Sequence, residues 1–176
     1  EHYPAKPPSE REGVIFIPHV RTGLVCGVGL RRICHDLSIG YLTPDAPFET
    51  FIDTIRSARL VITEAMHGAI LADTLRTPWV PIEFLYHHKF KWQDWFASIE
   101  LPYERHVMQP VFWDKGRSGK MSARALARIM YQRMLMKQAR ARFALRDILR
   151  EAVPILSADD VLSHRKKRLI DRVRYI

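Results

Sequence analysis

Glu64 and His67 stand three residues apart in Thr63-Glu64-Ala65-Met66-His67-Gly68 and are the chain's clearest candidates for acid–base chemistry. A carboxylate and an imidazole can hold, give and take protons near neutral pH. Their neighbours say where the pair must sit. Leu60-Val61-Ile62-Thr63 is a short β-branched run suited to a strand buried on both faces. Ala69 to Leu75 reads as a helix, Pro78 ends it, and Trp79 to Ile82 resumes as strand. The unit is βαβ, with Glu64 and His67 where the carboxyl end of the first strand meets the helix. In open α/β sheets that edge takes ligands, and a helix start offers an anion free N–H groups and a positive dipole end. Gly68 allows close backbone approach. Plainer roles stay open for both side chains: Glu64 as a carboxylate that complements the helix dipole, His67 as a cap or the filling of a polar corner.

Other polar groups collect on the same edge. Gly13 to Ile17 is a buried strand ending at Pro18-His19, with Arg21 expected in the loop that follows. Phe84 to Trp95 leaves the edge after the Ile82 strand and carries Tyr86, His88, Lys89, Lys91 and Trp92. That mixture of cations, imidazoles and rings suits an anion flanked by a sugar, while an amphipathic helix burying Phe90, Trp92 or Trp95 is the competing reading. His87-His88 lacks the i,i+4 spacing of a helical metal pair, so no metal site is expected.

The remaining elements are Leu24 to Leu37 as helix, Ile39 to Leu42 as strand, and Pro47 to Ala58 as helix with Phe48, Phe51, Ile52 and Ile55 inward. The order β-α-β-α-β-α-β predicts an α/β, Rossmann-like parallel sheet with helices on both faces. GVGLRR from Gly27 lacks the GxGxxG spacing of a phosphate loop and falls within a helix.

With 176 residues the chain can bury one full core, and no run approaches the ~20 apolar residues of a membrane span. Residues 1–12 read as a proline-rich linker without a signal-peptide core, residues 13–116 as the α/β domain, and residues 117–176 as a basic helical extension packing on it. Cys26 and Cys34, eight apart, suit reduced thiols in a cytoplasmic protein. The net charge of +9 is unevenly placed. Residues 1–116 hold 12 Lys and Arg against 14 Asp and Glu, a net −2, and residues 117–176 hold 16 against 5, a net +11. Met121 to Glu151 reads as one long helix with Ser122 as N-cap, and a second helix runs from about Ser157 into Arg168. The basic tail suits a solvated face or contact with an anionic membrane surface. With few aromatics among its charges, no nucleic-acid partner is expected.

The stretch SARLVITEAMHGAILADTLRTPWVPI resembles the signature of the polysaccharide pyruvyl transferases, in particular the exopolysaccharide ketal-pyruvate branch related to succinoglycan biosynthesis. Ser57-Ala58, Glu64, His67, Gly68 and Ala72-Asp73 carry the match, which extends from Gly13 to Trp95 through the Lys91-Trp92 and Asp94-Trp95 pairs. One departure is Ala65, where some branches carry an arginine. The resemblance implies the C-terminal half of a two-domain GT-B fold followed by long C-terminal helices. It implies a bacterial, cytoplasmic enzyme, peripheral to the inner membrane, that transfers pyruvyl from phosphoenolpyruvate to an oligosaccharide or lipid-linked sugar without a cofactor. On that footing His67 and Glu64 are the catalytic candidates, and Gly68, His19, Arg21, Lys89 and Lys91 the donor-binding ones. Tyr86, His88 and Trp92 are the acceptor-binding candidates. A GT-B glycosyltransferase using a nucleotide-sugar, with Glu83 on the ribose, is the rival enzyme. A non-catalytic module docking on anionic lipid or a partner through its tail is the third alternative.

Overall fold

The computed structural model describes residues 3–86, 88–108 and 138–173. Five parallel strands form the sheet: β1 (Glu12–Ile17), β2 (Gly40–Tyr41), β3 (Ala58–Thr63), β4 (Trp79–Glu83) and β5 (His106–Val107), in the order β2-β1-β3-β4-β5. The α/β, Rossmann-like expectation holds. The helices are α1 (Val20–Asp36), α2 (Phe48–Ser57), α3 (Met66–Thr74), α4 (Lys89–Ser98), α5 over 138–151 and α6 (Asp159–Val173).

Successive strand residues point to opposite faces, and that alternation sorts the core into two layers. Ile15, Ile17, Val61 and Trp79 meet Ile52 and Ile55 of α2, Ala69 and Ala72 of α3, and Trp92 and Phe96 of α4. On the other face Phe16, Ile62, Val80 and Ile82 meet Leu30, Ile33 and Cys34 of α1 and Ala141, Leu145 and Ile148 of α5. The central strands are thus apolar on both sides, as parallel sheets require.

Two local expectations are corrected. α1 starts at Val20, not Leu24, because Pro18 and His19 keep the chain extended and His19 Nδ1 accepts the Arg21 N–H (3.2 Å), capping the helix. Arg21 therefore sits in the first helical turn instead of a loop. Its glycines are tolerated by close packing: a Cβ on Gly23 or Gly27 would lie 3.5 or 3.4 Å from the Tyr41 hydroxyl. In α2, Phe48 is 63% exposed, edge-on to Tyr3, because the inward stripe is carried by Ile52 and Ile55. The segment before β1 lies against the domain, with Lys6 Nζ donating to Ser57 Oγ (2.7 Å) and Arg11 donating to the Arg76 carbonyl. Of the long helix expected from Met121 to Glu151, 121–137 lies outside the described residues and 138–151 is helical. Among the described residues no helix is long and apolar enough to cross a membrane.

Candidate active site

Thr63 ends β3 and shapes the turn into α3: its hydroxyl donates to the Ala65 carbonyl (2.9 Å) and accepts the Ala65 N–H (3.0 Å). Ala65 is the N-cap of α3 and has no side chain able to cap it. The first-turn N–H groups of Met66, His67 and Gly68 therefore have no intrahelical acceptor. This turn opens on a cleft of about 240 Å³ at the carboxyl edge of the sheet. Its lining includes Ile17, His19, Glu64, Ala65, His67, Gly68, Tyr86, His88, Lys91 and Trp92, together with Val20, Pro44, Phe51 and Met66.

Glu64 is 1% exposed and holds this edge together. Its Oε2 accepts the His19 N–H (2.8 Å), and its Oε1 accepts the Thr22 hydroxyl (2.9 Å) and the N–H groups of Leu85 (2.8 Å) and Tyr86 (2.9 Å). A carboxylate offers about four lone-pair sites, and here four donors meet it. The start of α1, the end of β3 and the loop after β4 are thus pinned to one buried anion. Oε1 accepts three of these bonds and Oε2 one, so most of the carboxylate's acceptor capacity is spent on holding this edge together. This network gives Glu64 a structural task beside the role expected for it in orienting His67 or as base or acid.

His67 is exposed on the first turn of α3 and borders the cleft. His19 stacks on Tyr86 with ring centroids 5.5 Å apart, and Arg21 lies over the other partner of that stack, 5.7 Å from the Tyr86 centroid. Because His19 Nδ1 accepts a hydrogen bond, the neutral ring carries its proton on Nε2 and can donate from there. Lys91 and the α4 N-cap residue His88 face the cleft, whereas Lys89 is exposed outside its lining. Arg21 likewise stands outside the lining, behind Tyr86.

Trp92 is 2% exposed and packs against Trp79 and Phe96, at 6.4 and 6.3 Å between ring centroids. Little of it is left to meet a sugar, so it floors the cleft. Gly68 faces inward too: a Cβ there would lie 2.6 Å from Thr63 Oγ1 and 3.2 Å from Ile17 Cδ1, so the missing side chain lets α3 close on the sheet. Sequence reasoning missed Thr22 and the backbone donors of Leu85 and Tyr86, whose partner lies more than twenty residues away. It also missed Pro44 and Phe51, although the loop after β2 leaves from the same edge. Glu64 is the only carboxylate among the described lining residues, so these present imidazoles, an ammonium and free N–H groups to a ligand. Among the described residues no three His, Cys, Asp or Glu side chains gather to hold a metal ion.

Residues 14–84, which span β1 through β4 and the turn bearing Glu64 and His67, match the family model described as polysaccharide pyruvyl transferase. Succinoglycan biosynthesis protein ExoV of Rhizobium meliloti (strain 1021) is 33% identical over 90 residues, covering 50% of this chain and 28% of the relative. The match thus spans less than a third of the relative's length. No solved structure matches the chain. The strand-turn-helix unit that builds the cleft thus lies within the segment that is similar to the polysaccharide pyruvyl transferases.

Proposed function

We propose that the cleft binds phosphoenolpyruvate and that the intact enzyme moves its pyruvyl group onto a sugar of an exopolysaccharide or its lipid-linked precursor, as a cyclic ketal. The observation that carries this is the uncapped start of α3 opening on a cleft where Glu64, the carboxylate of its described lining, is buried and ringed by four donors. A ligand bearing a phosphate and a carboxylate finds N–H donors, His67, His88 and Lys91 there, and no second carboxylate in the described lining to repel it. At about 240 Å³ the cleft is smaller than the ~300–1,000 Å³ typical of larger ligands and suits a compact acid better than a nucleotide-sugar. Glu83, the carboxylate a ribose would need, is instead ion-paired with Arg105 and lies outside the lining.

The chemistry balances in two additions. A sugar hydroxyl adds to carbon 2 of the donor as a proton reaches carbon 3, and the hydroxyl gives up its own proton. The bond from carbon 2 to the phosphate oxygen then breaks, phosphate leaves with the electron pair, and a second hydroxyl closes the ketal while losing its proton. His67 is placed to steady the phosphate and protonate it on departure, with the α3 N–H groups sharing the charge. His19 Nε2 and Lys91 hold the donor's remaining oxygens, and His88 and Tyr86 meet the acceptor at the rim. In this assignment the α/β unit is the donor-binding half of a GT-B-like pair.

Calorimetry on this chain and on His67→Ala, with phosphoenolpyruvate against a nucleotide-sugar panel, tests it. Phosphoenolpyruvate binding that weakens about tenfold or more in the variant is expected, the loss of one charge-assisted contact. Nucleotide-sugar binding without phosphoenolpyruvate binding would move the assignment to a glycosyltransferase.

A further inference from the structure

α1 is apolar on two sides. Its inward side carries Thr22, Gly27, Leu30, Ile33 and Cys34. Its solvent side is also apolar: Val20, Leu24, Val25 and Val28 are 50, 82, 66 and 81% exposed. Val20, Leu24 and Val28 recur every fourth residue and so form one row. Arg21, Arg31 and Arg32 are exposed on the same half of the helix, and none of its exposed residues up to His35 is acidic. Asp36 closes the helix, and the neighbouring α5 sets Arg142 3.6 Å from that carboxylate.

An ordinary surface helix turns charged residues of both signs to water. Large apolar side chains interleaved with arginines alone suit a surface that is apolar below and anionic above. We propose that the outer face of α1 docks on an anionic lipid bilayer, with Leu24 and Val28 entering the acyl boundary and Arg21, Arg31 and Arg32 at the headgroups. The row begins at Val20, which also borders the cleft. Docking would hold the cleft mouth at the membrane surface, where an acceptor sugar on a lipid carrier is presented. The lipid contact itself does not depend on the identity of the donor.

Sedimentation of the full chain with phosphatidylglycerol–phosphatidylcholine vesicles, against pure phosphatidylcholine vesicles, reads it out. Binding only to the anionic vesicles is expected, with about a tenfold or greater loss of partitioning in the Leu24→Glu/Val28→Glu double variant. Both positions are exposed, so the variant should melt with the wild type. Lys166→Glu/Lys167→Glu on α6 is the comparison, and it should leave the dependence on Leu24 and Val28 intact. Unchanged partitioning in the α1 variant, loss only in the α6 variant, or no binding by wild type would overturn the proposal. So would a wild-type dimer that the α1 variant dissociates, which would give the face to a second copy of the chain.

Discussion

A buried carboxylate ringed by donors is fixed by its charge, and Glu64 has no substitute of equal capacity. In Glu64→Gln one oxygen becomes an NH₂ group, which must face a donor among His19 N, Thr22 Oγ1, Leu85 N and Tyr86 N. Leaving such buried groups mismatched costs about 2–4 kcal/mol. Denaturant unfolding should show a loss of that order, together with weaker donor binding as the 85–86 loop comes free. A Gln variant of full stability and reduced turnover would instead place Glu64 in the reaction. Cys34 makes a second residue-scale case. It is 0% exposed, and burial pushes its thiol from 9.0 to about 12. Above pH 9 the unfolded chain releases a proton that the folded chain keeps, so this contribution to stability is intact below pH 9 and declines toward pH 12. Relative to Cys34→Ala, the wild type should lose up to ~1.4 kcal/mol per pH unit in that window. Equal alkaline slopes for the two proteins would show that Cys34 does not stay protonated when folded.

At the scale of elements, the start of α3 is set by how closely it approaches the sheet. Gly68→Ala brings a methyl within 2.6 Å of Thr63 Oγ1, on a side chain locked by its bonds to Ala65, so the helix must shift. Such overpacking costs about 1–3 kcal/mol. Removing the obstacle in Thr63→Ala/Gly68→Ala should recover part of it, so the double-mutant cycle should show a coupling above ~0.5 kcal/mol, and strict additivity would locate the strain elsewhere. The same elements show what a sequence can and cannot disclose. β3, β4 and the turn between β3 and α3 were legible because β-branched runs, Pro78 and the Glu64 to Gly68 spacing are local signals. The start of α1 was not, since Gly23, Gly27 and Gly29 depress helix propensity while the fit of Gly23 and Gly27 against Tyr41, and of Gly29 against Gln138, is tertiary. Glu64 was singled out in sequence, but the bonds that bury it were not. Thr22 lies 42 residues away from it and Leu85 21 residues away, and no periodicity reports contacts of that range. Trp92 carried both possibilities in sequence, and in the fold it is buried beside Trp79 and also lines the cleft.

Across the whole molecule the two edges of the sheet are finished differently. The carboxyl edge keeps the N–H groups of α3 open toward a cleft, whereas the opposite edge is closed by a network of polar bonds. Asp73, 0% exposed at the end of α3, accepts the Ser157 N–H (2.8 Å), the Ser157 hydroxyl (2.6 Å) and the Trp79 indole N–H (3.2 Å). Arg76, at φ 58 just beyond the helix, donates to the Ser157 carbonyl (2.8 Å) and pairs with Asp159 (2.9 Å). Ile155 bridges Trp79 antiparallel beside them. The segment between α5 and α6 is thereby fastened to the start of β4, and α5 is held over Phe16, Ile62 and Val80. Asp73→Ala strips three buried donors of their acceptor, a loss of about 3–5 kcal/mol, whereas Ser157→Ala removes one hydroxyl and should cost about 1–2. If the fastening is what seats α5, trypsin should cut at Arg150 faster in both variants, in the order of their instability. Donor affinity measured well below the melting temperature should stay at the wild-type value, because the cleft lies at the other edge. Cleavage at Arg150 unchanged in Asp73→Ala, or donor affinity lost in step with stability, would show that the two edges are coupled and that the division of labour drawn here is wrong.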